Sequence, residues 1–262
     1  MNEERVAEFR FYAELNDFLK PNRRQKTFSY AFNGSPSIKD TIEAIGVPHT
    51  GVDIILVNGN SVGFDHRLRS GDRVSVYPVF ESLDVTPLIR LRAEPLRNPT
   101  FILDVHLGKL ARIMRMLGFD TLYRNDYDDP EIVRIARRED RIILTRDRGI
   151  LKNSLVTHGY WVRSENAEKQ ARELLSRFDL FRLIKPFGRC ISCNGLLEDI
   201  PKENILDRLP PKTKMAFNKF RICTGCEKIY WQGSHYQSMI DLIKRLEIGS
   251  KEEKGEAGRS RE

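Results

Sequence analysis

Cys190, Cys193, Cys223 and Cys226 are the only cysteines among 262 residues, and they form two C-x-x-C pairs with 29 residues between them. Two thiols three positions apart on a tight turn aim at a common centre, and two such turns supply the four soft ligands of tetrahedral Zn²⁺. Four protein ligands close the coordination sphere, so the ion is structural. An iron–sulfur cluster or a thiol redox pair would use the same residues. The gap exceeds the ~15 to 20 residues of a compact ribbon, so an insertion must bulge between the pairs. Disulfides are disfavoured. The start MNEERVAEFR has no apolar signal segment, no run approaches the ~20 apolar residues of a membrane span, and the expected cytoplasmic address keeps thiols reduced.

A second chemistry is written in aspartates at strand ends. Asp104 terminates TFILD and Asp147 follows RIILT. In a parallel sheet with right-handed crossovers the carboxyl ends of successive strands share one edge, so these two acids are expected to approach each other although 43 positions separate them. A third acid comes from NDYDDPEI, with Asp126, Asp128 and Asp129 as candidates. Asp129 is preferred because a helix start follows it, and the same position suits an N-cap that accepts a backbone N–H. Crowded carboxylates repel unless a cation neutralises them. Mg²⁺ or Mn²⁺, bound by Asp104, Asp129 and Asp147, would meet that need and bring phosphodiester hydrolysis with it. Arg146 and Arg148 flank Asp147, either to grip phosphates in bidentate fashion or to pair with surface acids.

The elements that must hold these groups follow from periodicity. Residues 6 to 80 alternate as strands, interrupted by SIKDTIEAIG, where Ser37 can cap a short helix that buries Ile38, Ile42 and Ile45 and that Gly46 can end. Strands, one helix, then further strands predict an α+β β-grasp domain over 1–85. Three prolines in DVTPLIRLRAEPLRNPT mark a linker, 86–98. From 99 to 184 strands alternate with helices, the pattern of a parallel α/β sheet covered on both faces. In VHLGKLARIMRMLGF, Leu107, Leu110, Ala111, Met114 and Leu117 make an apolar stripe, with Lys109, Arg112 and Arg115 largely off it. A zinc ribbon is expected over 185–248 and a disordered polar tail over 249–262.

Net charge is +7, and its distribution is uneven: residues 1 to 90 hold 11 basic and 12 acidic side chains, the remainder 33 and 25. A polyanionic partner for the later part would explain this, as would solubility alone. The insertion RLPPKTKMAFNKFR carries five basic residues and no acid, with Phe217 and Phe220 placed either to stack bases or to lie beneath the ribbon. In YWQGSHY, Trp231, His235 and Tyr236 either touch RNA or complete the last strand.

DVHLGKLARIMRMLGFDTLYRND, followed by DDPEIVRIARREDRIILTRDRGIL and the two C-x-x-C pairs, resembles the PIN-like ribonuclease domain called the Mut-seven C-terminal RNase family, over residues 99 to about 240. The resemblance implies a PIN-like parallel sheet, a metal-dependent ribonuclease site and an attached zinc ribbon. Carried over position by position, its acids fall on Asp104, Asp147 and the pair at 128 and 129. The first 85 residues resemble the ubiquitin-like module, related to sulfur carriers, that is joined to this family. The chain runs on past VFESLDV without a free Gly-Gly end, which argues against a carrier role and leaves protein docking or substrate orientation.

The expected activity is therefore hydrolysis of RNA. Asp104, Asp129 and Asp147 would hold Mg²⁺ or Mn²⁺, Lys109, Arg112, Arg146 and Arg148 would hold phosphates, and Zn²⁺ would brace the ribbon. A non-catalytic RNA-binding or protein-docking module is the alternative. A phosphoesterase for small molecules shares the acids but leaves the distributed basic charge unexplained.

Overall fold

The computed structural model describes residues 5–78 and 99–259. The linker read over 86–98 and the tail residues 260–262 lie outside the described residues. The chain forms two compact units, one of Met1–Asn98 with Asp147–Trp161 and one of Pro99–Arg146 with Val162–Glu262.

The first unit is built from β1 (Arg5–Phe11), β2 (Phe28–Phe32), α1 (Ile38–Ile45), β3 (Val52–Val57), β4 (Asn60–Ser61) and β5 (Arg73–Pro78). The sheet order is β2-β1-β5-β3-β4, with β1 and β5 parallel at the centre and the other pairs antiparallel. This is a β-grasp arrangement. Ser37 Oγ accepts from Asp40 N at 3.1 Å, and Gly46, at φ +120°, closes α1. Ile38 and Ile42 reach the core of Phe9, Phe11, Ile55 and Val76.

The second unit opens with β6 (Phe101–Leu103), α2 (Gly108–Met116), β7 (Thr121–Leu122), α3 (Asp129–Glu139) and β8 (Ile142–Thr145). β7, β6 and β8 run parallel, with Phe101 opposite Thr121 and Ile102 opposite Ile143. All three residues of β6 and all four of β8 are buried, as continuous apolar strands between helical layers should be. The stripe of Leu107, Leu110, Ala111, Met114 and Leu117 is buried as its periodicity predicts.

The chain then enters the first unit. Asp147–Trp161, ending in β9 (Gly159–Trp161), packs with the β-grasp residues. His49 Nε2 donates to the Val156 carbonyl at 2.9 Å and Thr50 Oγ1 to the Leu151 carbonyl at 3.3 Å, both buried.

Back in the second unit come α4 (Ala167–Arg177), β10 (Leu197–Ile200), α5 (Pro211–Ala216), β11 (Phe220–Cys223), β12 (Ile229–Tyr230) and α6 (Ser234–Arg259). The last three strands form an antiparallel sheet in the order β10-β11-β12. The backbone of α6 continues to Arg259, through most of the stretch whose composition suggested disorder. Ile205, Leu209 and Phe220 form a small core with Phe217 packed on its edge, so both phenylalanines of the insertion support the ribbon.

Ribbon and parallel sheet share an interior. Arg115, which helical spacing places off the stripe, is 3% exposed. Its guanidinium donates to the carbonyls of Thr121 (2.8 Å) and Ser192 (2.8 Å), which ties α2 to the first cysteine turn. Burial pulls its pKa down, opposed by neighbouring anionic groups. Gly118, at φ +98°, lets the chain at Lys185 pass so close that a Cβ would lie 2.2 Å from the Lys185 carbonyl oxygen.

Candidate functional site

Asp104 sits where β6 ends, in the short extended step before the turn leading into α2. It is 5% exposed, and three donors replace the water it has lost. Oδ1 accepts from His106 N at 2.8 Å, and Oδ2 accepts from Arg146 N at 2.9 Å and from the Thr145 hydroxyl. The donors at 145 and 146 come from the end of β8, so the neighbouring parallel strands do bring their carboxyl ends to one edge, as strand alternation predicts. Gly108 has its own reason: a Cβ there would lie 2.6 Å from the Tyr123 hydroxyl, which donates to the Val105 carbonyl at 3.1 Å.

The other predicted acids are placed differently. Asp128, not Asp129, is the N-cap of α3 and accepts from Glu131 N at 2.9 Å, whereas Asp129 is the exposed first helical residue, directly before Pro130. Asp126 is held by Arg124 through contacts of 2.9 and 2.6 Å. Asp147 belongs to the first unit, where its carboxylate accepts from Gly149 N at 2.7 Å in a local turn.

The four predicted phosphate ligands divide as well. Lys109 and Arg112 are exposed on α2. Arg146 donates to the Ser164 carbonyl at 2.6 Å and faces Glu165 at 3.4 Å, so a protein carbonyl and an acid take guanidinium nitrogens expected to grip phosphate. Arg148 lies 3.9 Å from the centre of the Trp161 ring and 5.2 Å from that of Phe18, and donates to the Asp17 carbonyl at 3.4 Å. Within the first unit it is stacked against aromatic side chains that are distant from it in sequence.

Two residues at the same edge escaped sequence reading. His106 donates its backbone N–H to Asp104, and its side chain lines a cleft of about 680 Å³ with Lys109, Glu165, Asn166, Gln170 and Arg245. Glu165 follows a short strand and precedes the capping residue of α4, a position the strand-end rule could have marked.

The cysteines gather as predicted. Their four Sγ atoms all lie within 4.8 Å of one another, with Cys190 and Cys223 buried and Cys193 and Cys226 exposed. Cys190 Sγ is 3.7 Å from Cys226 Sγ, and Cys193 Sγ is 3.3 Å from Cys223 Sγ. Both turns place the residue after the second cysteine in the left-handed region, Asn194 at φ +76° and Glu227 at φ +55°. Gly195 is required by the cluster itself, since a Cβ there would lie 2.8 Å from Cys223 Sγ. Burial raises the Cys190 thiol, but the Tyr230 hydroxyl and backbone N–H groups outweigh it and bring its pKa to about 6. Burial and neighbouring thiols push Cys193 to about 12. Four crowded thiols cannot all ionise unaided, and a soft dication removes the conflict. The donor set fits Zn²⁺. Among the described residues no set of three carboxylates is gathered in this way.

The family model for the Mut7-C RNAse domain matches residues 99–243, more than half of the chain. The chain belongs to the Mut7-C RNAse domain family. The Mut7-C ubiquitin model matches residues 4–84, the β-grasp part of the first unit. No curated protein and no solved structure matches the chain. The Mut7-C RNAse match includes the Asp104 edge, all four cysteines and the ribbon strands, and it runs through the 147–161 segment that packs with the ubiquitin-like part. No helix among the described residues is long and apolar enough to cross a membrane.

Proposed function

We propose that this chain is a cytoplasmic ribonuclease that hydrolyses phosphodiester bonds of single-stranded or locally unpaired RNA. The observation that carries the reading is Asp104, a nearly buried carboxylate with three donors at the edge where β6 and β8 end, inside a segment matched by a ribonuclease family. A carboxylate offers about four acceptor positions, so the three donors leave one free, on Oδ1. Lys109 and Arg112 stand exposed on the helix that follows and can hold phosphates through screened charge. Arg146 orients Asp104 through its backbone N–H. The zinc ribbon stiffens the RNA-facing surface, and the ubiquitin-like part offers a docking surface for a protein partner.

Cleavage would depend on Mg²⁺ or Mn²⁺ held by Asp104, Asp129 and Asp147, whose hard oxygen ligands suit either ion. The three hydrogen bonds that Asp104 already accepts favour a second reading, an RNA-binding module without catalysis. Cleavage of an unstructured RNA, measured with and without Mn²⁺ in the parent, Asp104→Asn and Asp147→Asn, separates the two. The ribonuclease reading expects Mn²⁺-stimulated cleavage that falls at least about 100-fold in both variants. RNA binding with no cleavage by any of the three proteins establishes the second reading. Cleavage unchanged by Asp147→Asn but lost in Asp104→Asn removes Asp147 from the site.

A further inference from the structure

The ribbon carries a groove of about 510 Å³, lined by aromatic rings. From this groove we infer a binding site for an unpaired nucleobase of an RNA strand, on the ribbon face and separate from the Asp104 edge. The inference rests on the reading of RNA as substrate.

The walls are flat. Phe187 and Tyr236 stand with ring centroids 5.0 Å apart at an interplanar angle of 34°, and Trp231 tilts against the buried Phe220 at 6.4 Å. Trp231 remains 37% exposed, an unusual position for an indole on a ribbon this small. Gly233 creates its place: a Cβ at 233 would lie 2.8 Å from the indole Nε1. The indole therefore lies close against the Gly233 backbone and lines the groove while staying partly exposed. Tyr230 completes the lining beside it.

The remaining lining is cationic. Lys219 and Lys228 are exposed at the groove, with His235 nearby. Arg221 is fixed, its guanidinium donating to the Phe187 carbonyl at 2.5 Å and to the Leu197 carbonyl, with Asp199 at 3.2 Å from Nε. Asp199 is the one acid in the lining, and it is already paired with Arg221. An exposed indole on which a base can stack and ammonium groups to meet its flanking phosphates are the combination that single-stranded nucleic acid recognises, whereas an acidic peptide would leave the ring face unused. The volume lies in the range of ligand pockets. Base stacking of this kind tolerates any sequence, so the site would select for unpaired strands rather than for a motif.

The test is binding of a fluorescein-labelled decauridylate to the zinc-loaded full chain without added Mn²⁺, followed by anisotropy across salt concentrations. Parent, Trp231→Ala, Trp231→Phe and Lys228→Ala are compared, with zinc content checked in each. The expected result is about ten-fold weaker binding for Trp231→Ala at unchanged salt slope, near-parent binding for Trp231→Phe, and for Lys228→Ala a salt slope reduced by about one. Binding of a perfectly paired RNA duplex should ignore Trp231. Decauridylate binding in the parent that Trp231→Ala leaves intact overturns the groove assignment while RNA binding stands, and would leave the groove to a protein partner. No binding in the parent overturns the RNA reading and the groove with it.

Discussion

Two sets of candidate ligands are present in one chain, and only one of them lies within a single unit. The four cysteines converge within 4.8 Å inside the second unit, whereas Asp104 and Asp129 belong to that unit and Asp147 to the first. The difference lies in what each convergence requires. Within a C-x-x-C turn the backbone places both sulfurs, and the chain has only to bring two turns together across one antiparallel sheet. The acids come from three separate elements, and two of them already accept local hydrogen bonds, Asp104 from His106, Thr145 and Arg146 and Asp147 from Gly149 N–H, while the cap of α3 falls to Asp128 rather than Asp129.

Removing zinc breaks the closed side of this comparison with the largest effect. Chelation, or Cys223→Ser, is expected to unfold the strands β10–β12, because zinc contributes on the order of 10 kcal/mol in small thiolate sites. Circular dichroism and hydrogen exchange on zinc removal would check this, with lost protection extending to α2 through Arg115. Exchange loss that stops at the ribbon would show that the shared interior couples the two parts weakly.

Acid probes the seam between them. Asp120 is bound by Arg141 at 2.6 Å, Arg189 at 3.0 Å and Asn194 at 2.9 Å. Burial raises its pKa, but the bonds from Arg141 and Asn194 outweigh that and hold it below the usual carboxylate range. A carboxylate depressed on folding stabilises the protein above its unfolded pKa of about 4 and loses that contribution as pH falls through the lower folded value. Urea midpoints of the parent and Asp120→Asn should therefore differ most near neutrality and converge below about pH 4. A constant gap would mean that the loss is one of packing.

The smallest effect sharpens the open side. Asp128→Ala is expected to cost about 1 kcal/mol of stability through the lost cap of α3. Asp129→Ala should cost less in stability, and if Asp129 serves the proposed cleavage it should cost activity. Thermal melts paired with RNA cleavage assign the two neighbours, and a reversal would move the third acid to 128.

Much of this was legible because it was local. Period-two alternation marked the β-grasp strands, Ser37 and Gly46 marked both ends of α1, and the stripe on α2 marked its buried side. The cysteine spacing marked the ribbon. What sequence could not show depended on groups contributed from afar. Arg115 looks like a surface residue until the carbonyls of residues 191 and 192 close over it. The shelf of Phe18 and Trp161 beside Arg148 joins residues far apart in the chain. The choice between Asp128 and Asp129 turns on where the first helical turn begins, which Pro130 alone does not fix.

The path of the chain through 147–161 has a practical corollary. The backbone passes from one unit to the other at 98/99, at 146/147 and again at 161/162, so severing the linker cannot yield two self-sufficient pieces. A fragment starting at residue 99 would carry Arg148, Val156 and Trp161 stripped of Phe18 and His49, their complementary half. The ubiquitin-like unit thus borrows a stretch of chain from inside the matched ribonuclease segment, and truncated variants would report on a damaged fold before they reported on a missing partner.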